Sequence, residues 1–345
     1  MHMADALISP AVGGAMWAAA AGFTVYSARK LQEGMDDRKV PLMGVLGAFI
    51  FAAQMINFTI PATGSSGHLG GGMILAILLG PHAAFLTMAS ILTVQALFFA
   101  DGGLLALGCN IFNLGLVPCF VAYPLVYKSL AGDQPSRGRV MTACMASAII
   151  GLQLGALGVV METWLSGVSE LPLSTFALLM QPIHLAIGVV EGFVTAAVVT
   201  FIWTTRPEVL QSVSDPGAAK GLSMRVPVIG LLAVAVITGA MLSWFASTHP
   251  DGLEWAMLHT SGKEELETPG DGVHEALGWL QERVAVLPDY GFKNSQAEEE
   301  PTSGGEDWPA VNTGTTVSGL VGGAVTMGLA LLIGLALRKR RRAGS

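Results

Sequence analysis

The sequence predicts an all-α polytopic membrane protein: a seven-helix bundle, then two further membrane helices around an external acidic segment. Three observations carry that prediction. Of the 345 residues, 52% are hydrophobic and only 12% are charged, with a mean hydropathy of +0.58, a balance far from that of soluble globular chains. Apolar runs recur along the whole chain, and a span needs about 20 such residues, fewer when it is enclosed in a bundle. The basic residues fall in loops that alternate with those runs, which is the asymmetry that orients membrane helices.

The first run follows MHMADALISP. A cleavable leader would carry Lys or Arg ahead of its apolar stretch and a small-residue site behind it. Here His2 and Asp5 stand in front and YSARK stands behind, so the N-terminus is expected to be retained. The first two spans cover 10–28 and 41–61. The third, 69–80, is short and meets the fourth, 82–100, at Gly80-Pro81, which reads as a tight helical hairpin. Further spans cover 104–127, 139–163, 175–204, 225–247 and 315–337. Their richness in Gly and Ala suits close helix packing.

With the N-terminus outside, this arrangement places 15 of the 18 basic residues inside, among them Arg29, Lys30, Arg137, Arg206 and the tail RKRRR at 338–342. Treating 69–100 as one span would put basic loops on both faces. The chain is thus expected in the cell (inner) membrane, with its C-terminus cytoplasmic. Residues 1–205 form one block with short loops, and 206–224 read as a polar cytoplasmic linker. Residues 225–345 form a two-span module whose external segment contains VHEALGWLQERVAVL, a candidate amphipathic helix. Its SQAEEEPTSGGED stretch has a disordered composition. Cys109, Cys119 and Cys144 have no metal-ligand spacing and read as small buried hydrophobes.

Polar residues inside membranes are costly, so they mark function. At Met1-His2 the free α-amine, the amide nitrogen of residue 2 and the His2 Nδ1 can chelate one metal. Amine to amide closes a five-membered ring, and amide to Nδ1 closes a six-membered one. That leaves a planar site short of one donor, a geometry that favours Ni(II) or Cu(II). The loop PATGSSGHLGGG offers His68 on the same face, and its glycines let the backbone fold inward. Asp5, Gln54, Asn57, Ser65 and Ser66 are candidates to orient the ligating segments, since metal sites require such support. Gln54 and Asn57 share a helix face by their spacing. In QPIHLAIGVVEG, His184 and Glu191 lie two turns apart on one face, about 10 Å. No His-Glu-x-x-His occurs, so a zinc protease lacks its signature. Asn110 and Asn113 read as interhelical hydrogen-bonding groups.

Met1-His2 with Asp5 and Pro10, FAAQMINF, SSGHLGGG, LFFADGGLLALGCNIFNLG and PIHLAIGVVEG together resemble the CbiM/NikM family. These are the substrate-binding membrane subunits of energy-coupling-factor (ECF) importers for cobalt and nickel. The resemblance covers residues 1–205. Residues 225–345, with PDGLEW at 250–255, resemble the CbiN/NikN partner subunit of the PDGLE type. The resemblance implies a seven-helix subunit whose outward N-terminus plugs back into the bundle. It implies Ni(2+) or Co(2+) as transported substrate, with no cofactor, held by the Met1 amine, the His2 amide and imidazole, and His68. Many relatives read Asp/Glu-Gly-Phe/Tyr where this chain has Asp5-Ala6-Leu7.

The implied partners are a transmembrane coupling subunit and cytoplasmic ATP-binding subunits, within membrane lipid and without nucleic acid. No G-x-x-x-x-G-K-[ST] occurs here, so ATP would be hydrolysed elsewhere. Two readings compete: a subunit of the same architecture for an organic vitamin, and an intramembrane metalloenzyme using His184 and Glu191. In the C-terminal module, His249, His259 and His274 are expected to be solvated. The module is expected to act on metal loading rather than to supply ligands, its PDGLEW stretch lying on the face of Met1 and the His68 loop.

Overall fold

The computed structural model describes residues 2–34, 39–133, 135–205, 210, 225–270, 272–293, 309 and 311–344. Met1, SQAEEEPTSGGED and, apart from Leu210, the 206–224 linker lie outside the described residues. A 3-10 turn at Asp5–Leu7 leads into α1 (Pro10–Gly34), then α2 (Lys39–Gln54), β1 (Phe58–Ile60) and β2 (Ser65–Gly67). The short α3 (Gly72–Leu79) turns at Gly80 into α4 (Pro81–Phe99). Gly80 has a φ of 81°, a conformation that costs glycine little, and Pro81 is preset for a first helical turn. The expected hairpin is therefore present as two helices meeting at one reversed residue.

α5 (Leu107–Ala131), α6 (Arg137–Ser166) and α7 (Leu173–Thr205) follow. The middle of α5 is π-wound over Phe112–Tyr127 and contains Pro118 and Pro124. Proline removes an amide donor, and widened turns absorb the break in the hydrogen-bond ladder. Beyond the linker lie α8 (Arg225–Ala240), α9 (Gly252–Ser261), α10 (Gly272–Val284) and α11 (Thr313–Gly344). α10 falls on the segment expected to form an amphipathic helix. α4, α5, α6, α7 and the Thr313–Arg340 part of α11 are long and apolar enough to cross a membrane, and α2 and α8 are shorter apolar helices. The chain is a multi-pass membrane protein.

Two expectations need correction. The span drawn over 41–61 ends as a helix at Gln54, and the next residues form an antiparallel pair, Phe58 opposite Gly67 and Ile60 opposite Ser65. The structure is therefore mostly helical, with this short strand pair between α2 and α3. The buried Ser/Gly stretch of β2 must satisfy its backbone groups, and pairing with the β-forming Phe-Thr-Ile of β1 does so where a helix would not propagate.

The second correction concerns His274, which is buried rather than solvated. Its Nε2 donates to the Ile8 carbonyl at 2.8 Å. The C-terminal module is not peripheral. α8 and α11 pack on α2, and α9 packs on α7 and β2. Gly322 admits Phe51, whose ring would lie 2.0 Å from an added Cβ.

The hexapeptide PDGLEW has a local structural meaning. Asp251 caps α9, its Oδ1 accepting from the Leu253 and Glu254 amides at 2.7 and 2.9 Å, while Glu254 accepts from the Asp251 amide at 2.8 Å. That reciprocal pair satisfies three amides at the helix start. Pro250 and His249 extend from the cap toward β2.

Candidate metal-binding site

The N-terminal segment threads into the bundle and is held there by backbone. The Met3 amide donates to Asn110 Oδ1 at 2.8 Å. The Met3 carbonyl accepts from Asn110 Nδ2 at 3.3 Å and from the Gly103 amide at 2.9 Å. Asp5 Oδ1 accepts from the Ala106 amide at 2.9 Å. Met3, Leu7 and Ile8 are buried. This close approach explains Gly102-Gly103 in ADGGLLALG. Gly102 has a φ of 79°, and a Cβ on Gly103 would lie 1.8 Å from Asp5 Oδ1 and 2.5 Å from the Asp5 nitrogen. Asp5 thus anchors the threaded segment to the α4–α5 loop and leaves His2 at its inner end.

His2 and His68 meet. Their rings are parallel within 7° with centroids 5.0 Å apart. Two nitrogens bonded to one ion, each at about 2.0–2.1 Å in a zinc–imidazole bond, lie within about 4 Å of each other. A ring nitrogen's lone pair lies in its ring plane, so these neighbouring rings share an ion only once one of them turns out of the stack. His68 is buried, and its Nδ1 lies 3.2 Å from the Leu69 carbonyl. A carbonyl only accepts, so Nδ1 carries the proton and Nε2 the lone pair. Burial pushes the His68 imidazole down to about 3, which keeps the ring neutral, the form that binds metal. Its Nε2 lies 3.9 Å from Asp251 Oδ2.

His2 points its Nδ1 at Asp101 Oδ1, 3.1 Å away. Asp101 also accepts a hydrogen bond from the Tyr290 hydroxyl. Burial works against the Asp101 charge, but the His2 imidazole and these two hydrogen bonds hold its carboxyl well below the usual range. A cavity of about 520 Å³ opens beside the two rings, lined by His2, His68, Asp101, Asp251, Glu254 and His274 among others, with no Lys or Arg among the described residues that line it. Acidic walls of this kind concentrate cations.

The His68 loop is braced from behind. Gln54 Nε2 donates to the Gly70 carbonyl at 2.9 Å, and Gln95 Nε2 donates to Gln54 Oε1 at 3.0 Å. Glu191 accepts from the Gly70 amide at 2.8 Å and from the Gly71 amide at 3.0 Å. Glu191→Ala would leave both buried amides without their acceptor. Supports of this kind are worth roughly 10–100-fold in metal affinity. A titration of the Glu191→Ala protein with Ni(II) should show a loss in that range, and parental affinity would deny the carboxylate this bracing role.

The other candidates divide. Asn57 lines the cavity, and its carbonyl accepts from the Ser247 amide at 2.7 Å. Ser65 and Ser66 turn away from His68 toward the C-terminal module. Ser66 Oγ donates to the His249 carbonyl at 2.7 Å, and the Ser66 amide donates to the Pro250 carbonyl at 2.8 Å. His184 and Glu191 do not act together. His184 Nδ1 donates to the Met180 carbonyl at 2.8 Å, while Glu191 serves the His68 loop. Asn113 donates to Glu162 Oε2 at 2.7 Å, away from the threaded segment.

His259 Nδ1 donates to the Trp255 carbonyl at 2.8 Å. The three cysteines are free and buried. Among the described residues no group of three or more His, Cys, Asp or Glu side chains is placed to hold a metal ion. Sequence reasoning missed Asp101, Asp251 and Tyr290. Asp101 lay within a quoted motif, and Asp251 within PDGLEW, but neither carries a spacing signal toward His2 or His68.

The profile of CbiM, the cobalt uptake substrate-specific transmembrane region, matches residues 2–209. The chain belongs to the CbiM family. A PDGLE-domain profile matches residues 225–339, so a CbiM unit is fused to a CbiN-like unit. The fused nickel transport protein NikMN of Rhodobacter capsulatus is 35% identical over 234 residues, covering 63% of this chain and 66% of that protein. The cobalt transport protein CbiM of Sorangium cellulosum is 29% identical over 239 residues, covering 65% of this chain and all of that one. A solved transition metal transporter superposes with a TM-score of 0.55 at 28% identity, over 64% of this chain and 100% of that one. This CbiM-family chain is a membrane transport component and not an enzyme, and the metalloenzyme reading of His184 and Glu191 falls with that.

Proposed function

We propose that this chain is the substrate-binding subunit of an ATP-driven ECF importer for Co(II) or Ni(II). It takes the ion at the outer face through the Met1 amine, the His2 amide nitrogen and Nδ1, and His68 Nε2. The observation that carries this reading is the approach of the His2 and His68 rings to 5.0 Å, at the inner end of a segment pinned by Asn110 and Asp5. Ring size requires the amine, amide and Nδ1 to act together, and His68 completes the plane. The acidic cavity beside the rings gives the ion an approach. A vitamin site would instead need an apolar, aromatic-rich pocket, which disfavours that reading.

The Lys and Arg distribution supports an outside N-terminus and a cytoplasmic C-terminus. Residues 1–205 form the binding unit, 206–224 the cytoplasmic linker and 225–345 the two-span module. Release to the inside is driven by a transmembrane coupling subunit and cytoplasmic ATP-binding subunits. The PDGLE unit acts on loading from the cavity side. Calorimetric titration of the purified full-length chain with Ni(II) and with Co(II), beside Mg(II) as a control, tests the assignment. One tight site for Ni(II) or Co(II) and none for Mg(II) is the expected result, since oxygen-seeking Mg(II) does not suit a nitrogen set. Equal binding of Mg(II) would contradict it.

A further inference from the structure

The His2 imidazole is held here in a way the proposed chelate cannot keep. Its Nδ1 faces Asp101 Oδ1 at 3.1 Å, while its Nε2 is buried without a hydrogen-bond partner among the described residues. The six-membered chelate ring closes through Nδ1. The carboxylate and the metal therefore compete for one nitrogen.

On its other oxygen Asp101 accepts from the Tyr290 hydroxyl, which Gln95 Nε2 also approaches at 3.4 Å. Tyr290 comes from the PDGLE unit. Asp289 and Tyr290 both take left-handed backbone, with φ of 48° and 59°, which is uncommon for residues with a side chain. The surroundings hold them there. Ser318 Oγ donates to the Tyr290 carbonyl at 2.9 Å, and the Tyr290 ring stacks on Phe99 with centroids 5.0 Å apart. The Leu287 amide donates to the Phe98 carbonyl at 3.1 Å. Backbone kept in such a conformation by its neighbours clusters at functional sites.

We propose that Tyr290 is a positioning residue for metal loading: its hydroxyl shares the Asp101 carboxylate and so loosens that carboxylate's grip on His2 Nδ1. The inference rests on the chelate reading of His2. When an ion arrives, the imidazole turns its Nδ1 from Asp101 to the metal and releases the Nδ1 proton to water in the adjoining cavity, and Tyr290 remains as a donor to the carboxylate left behind. Without the hydroxyl, Asp101 would have no tyrosine donor to fall back on, and it would hold His2 more firmly. The C-terminal unit would thereby govern how readily the N-terminal ligand is released.

Stopped-flow loading of Ni(II) onto the full-length chain, with equilibrium titration beside it, tests the proposal. Tyr290→Phe is expected to load about tenfold more slowly, the equivalent of one hydrogen bond to a charged group. Asp101→Asn, which weakens the hold on Nδ1, is expected to load faster than the parent. In the double variant Tyr290→Phe should add nothing, because its effect passes through Asp101. A role for the tyrosine in packing alone would slow loading equally in both backgrounds. Parental loading by Tyr290→Phe, slower loading by Asp101→Asn, or an equal loss in both backgrounds would overturn the proposal. His2→Ala separates the two levels. If it binds Ni(II) like the parent, the chelate itself is wrong. If it loses Ni(II) while Tyr290→Phe loads normally, only the role of Tyr290 is lost.

Discussion

Acetylation of Met1, or extension of the chain by three residues ahead of it, is expected to reduce Ni(II) or Co(II) affinity further than loss of any bracing residue. Removing an outer partner of a metal ligand costs roughly 10–100-fold. Blocking the amine removes a ligand and also opens the five-membered ring that holds the His2 amide nitrogen in place. The extension should be three residues and not one. A single added residue would set the amine, two amides and the His2 imidazole in series, a new four-nitrogen chelate independent of His68. Isothermal titration of the extended and parental chains decides the matter, and the contrary result is parental affinity in the three-residue form. The fold should tolerate the change poorly at one place only, the threaded segment pinned by Asn110 and Asp5.

His68→Ala is expected to produce a loss of similar size by a different route. The variant should fold, because the backbone of the His68 loop is held by other residues, while the ring itself donates to its own neighbour's carbonyl at Leu69. The loop itself is held by Gln54 and Glu191 through Gly70 and Gly71. What disappears is the donor that completes the plane. Binding measured by calorimetry, with thermal unfolding as a control for folding, separates these effects. A variant with unaltered unfolding and strongly weakened Ni(II) binding is the outcome the four-nitrogen site requires. Unaltered unfolding with parental binding would mean that the fourth ligand lies elsewhere, with Asp101 and Asp251 the nearest alternatives.

The helices were legible because lipid burial writes long apolar runs into the sequence, and Gly80-Pro81 marks the hairpin by its backbone chemistry. The β1–β2 pair was not legible. It arises where the buried backbone of β2 must be satisfied over a stretch too polar and glycine-rich for a helix, and such tertiary demands leave no periodicity. His2 and His68 could be singled out from donor chemistry, and the structure brings their rings together. Gln54 could be singled out as a brace. Asp101 and Tyr290 are 189 residues apart in sequence, so no local spacing could pair them. His274 read as solvated because it lies in an acidic external segment, yet it is buried and bonded to the Ile8 carbonyl, 266 residues away. Ser65 and Ser66 looked like part of the His68 surroundings from sequence proximity, but their hydroxyls bond to the Pro250 and His249 carbonyls of the docked PDGLE segment.

X-ray absorption at the nickel edge of the Ni(II)-loaded full-length chain tests the central claim most directly. The account predicts a planar set of four nitrogen donors with imidazole scattering from two rings, and loss of one ring's contribution in His68→Ala. A six-coordinate shell with oxygen donors from carboxylate, or a spectrum unchanged by His68→Ala, would contradict it.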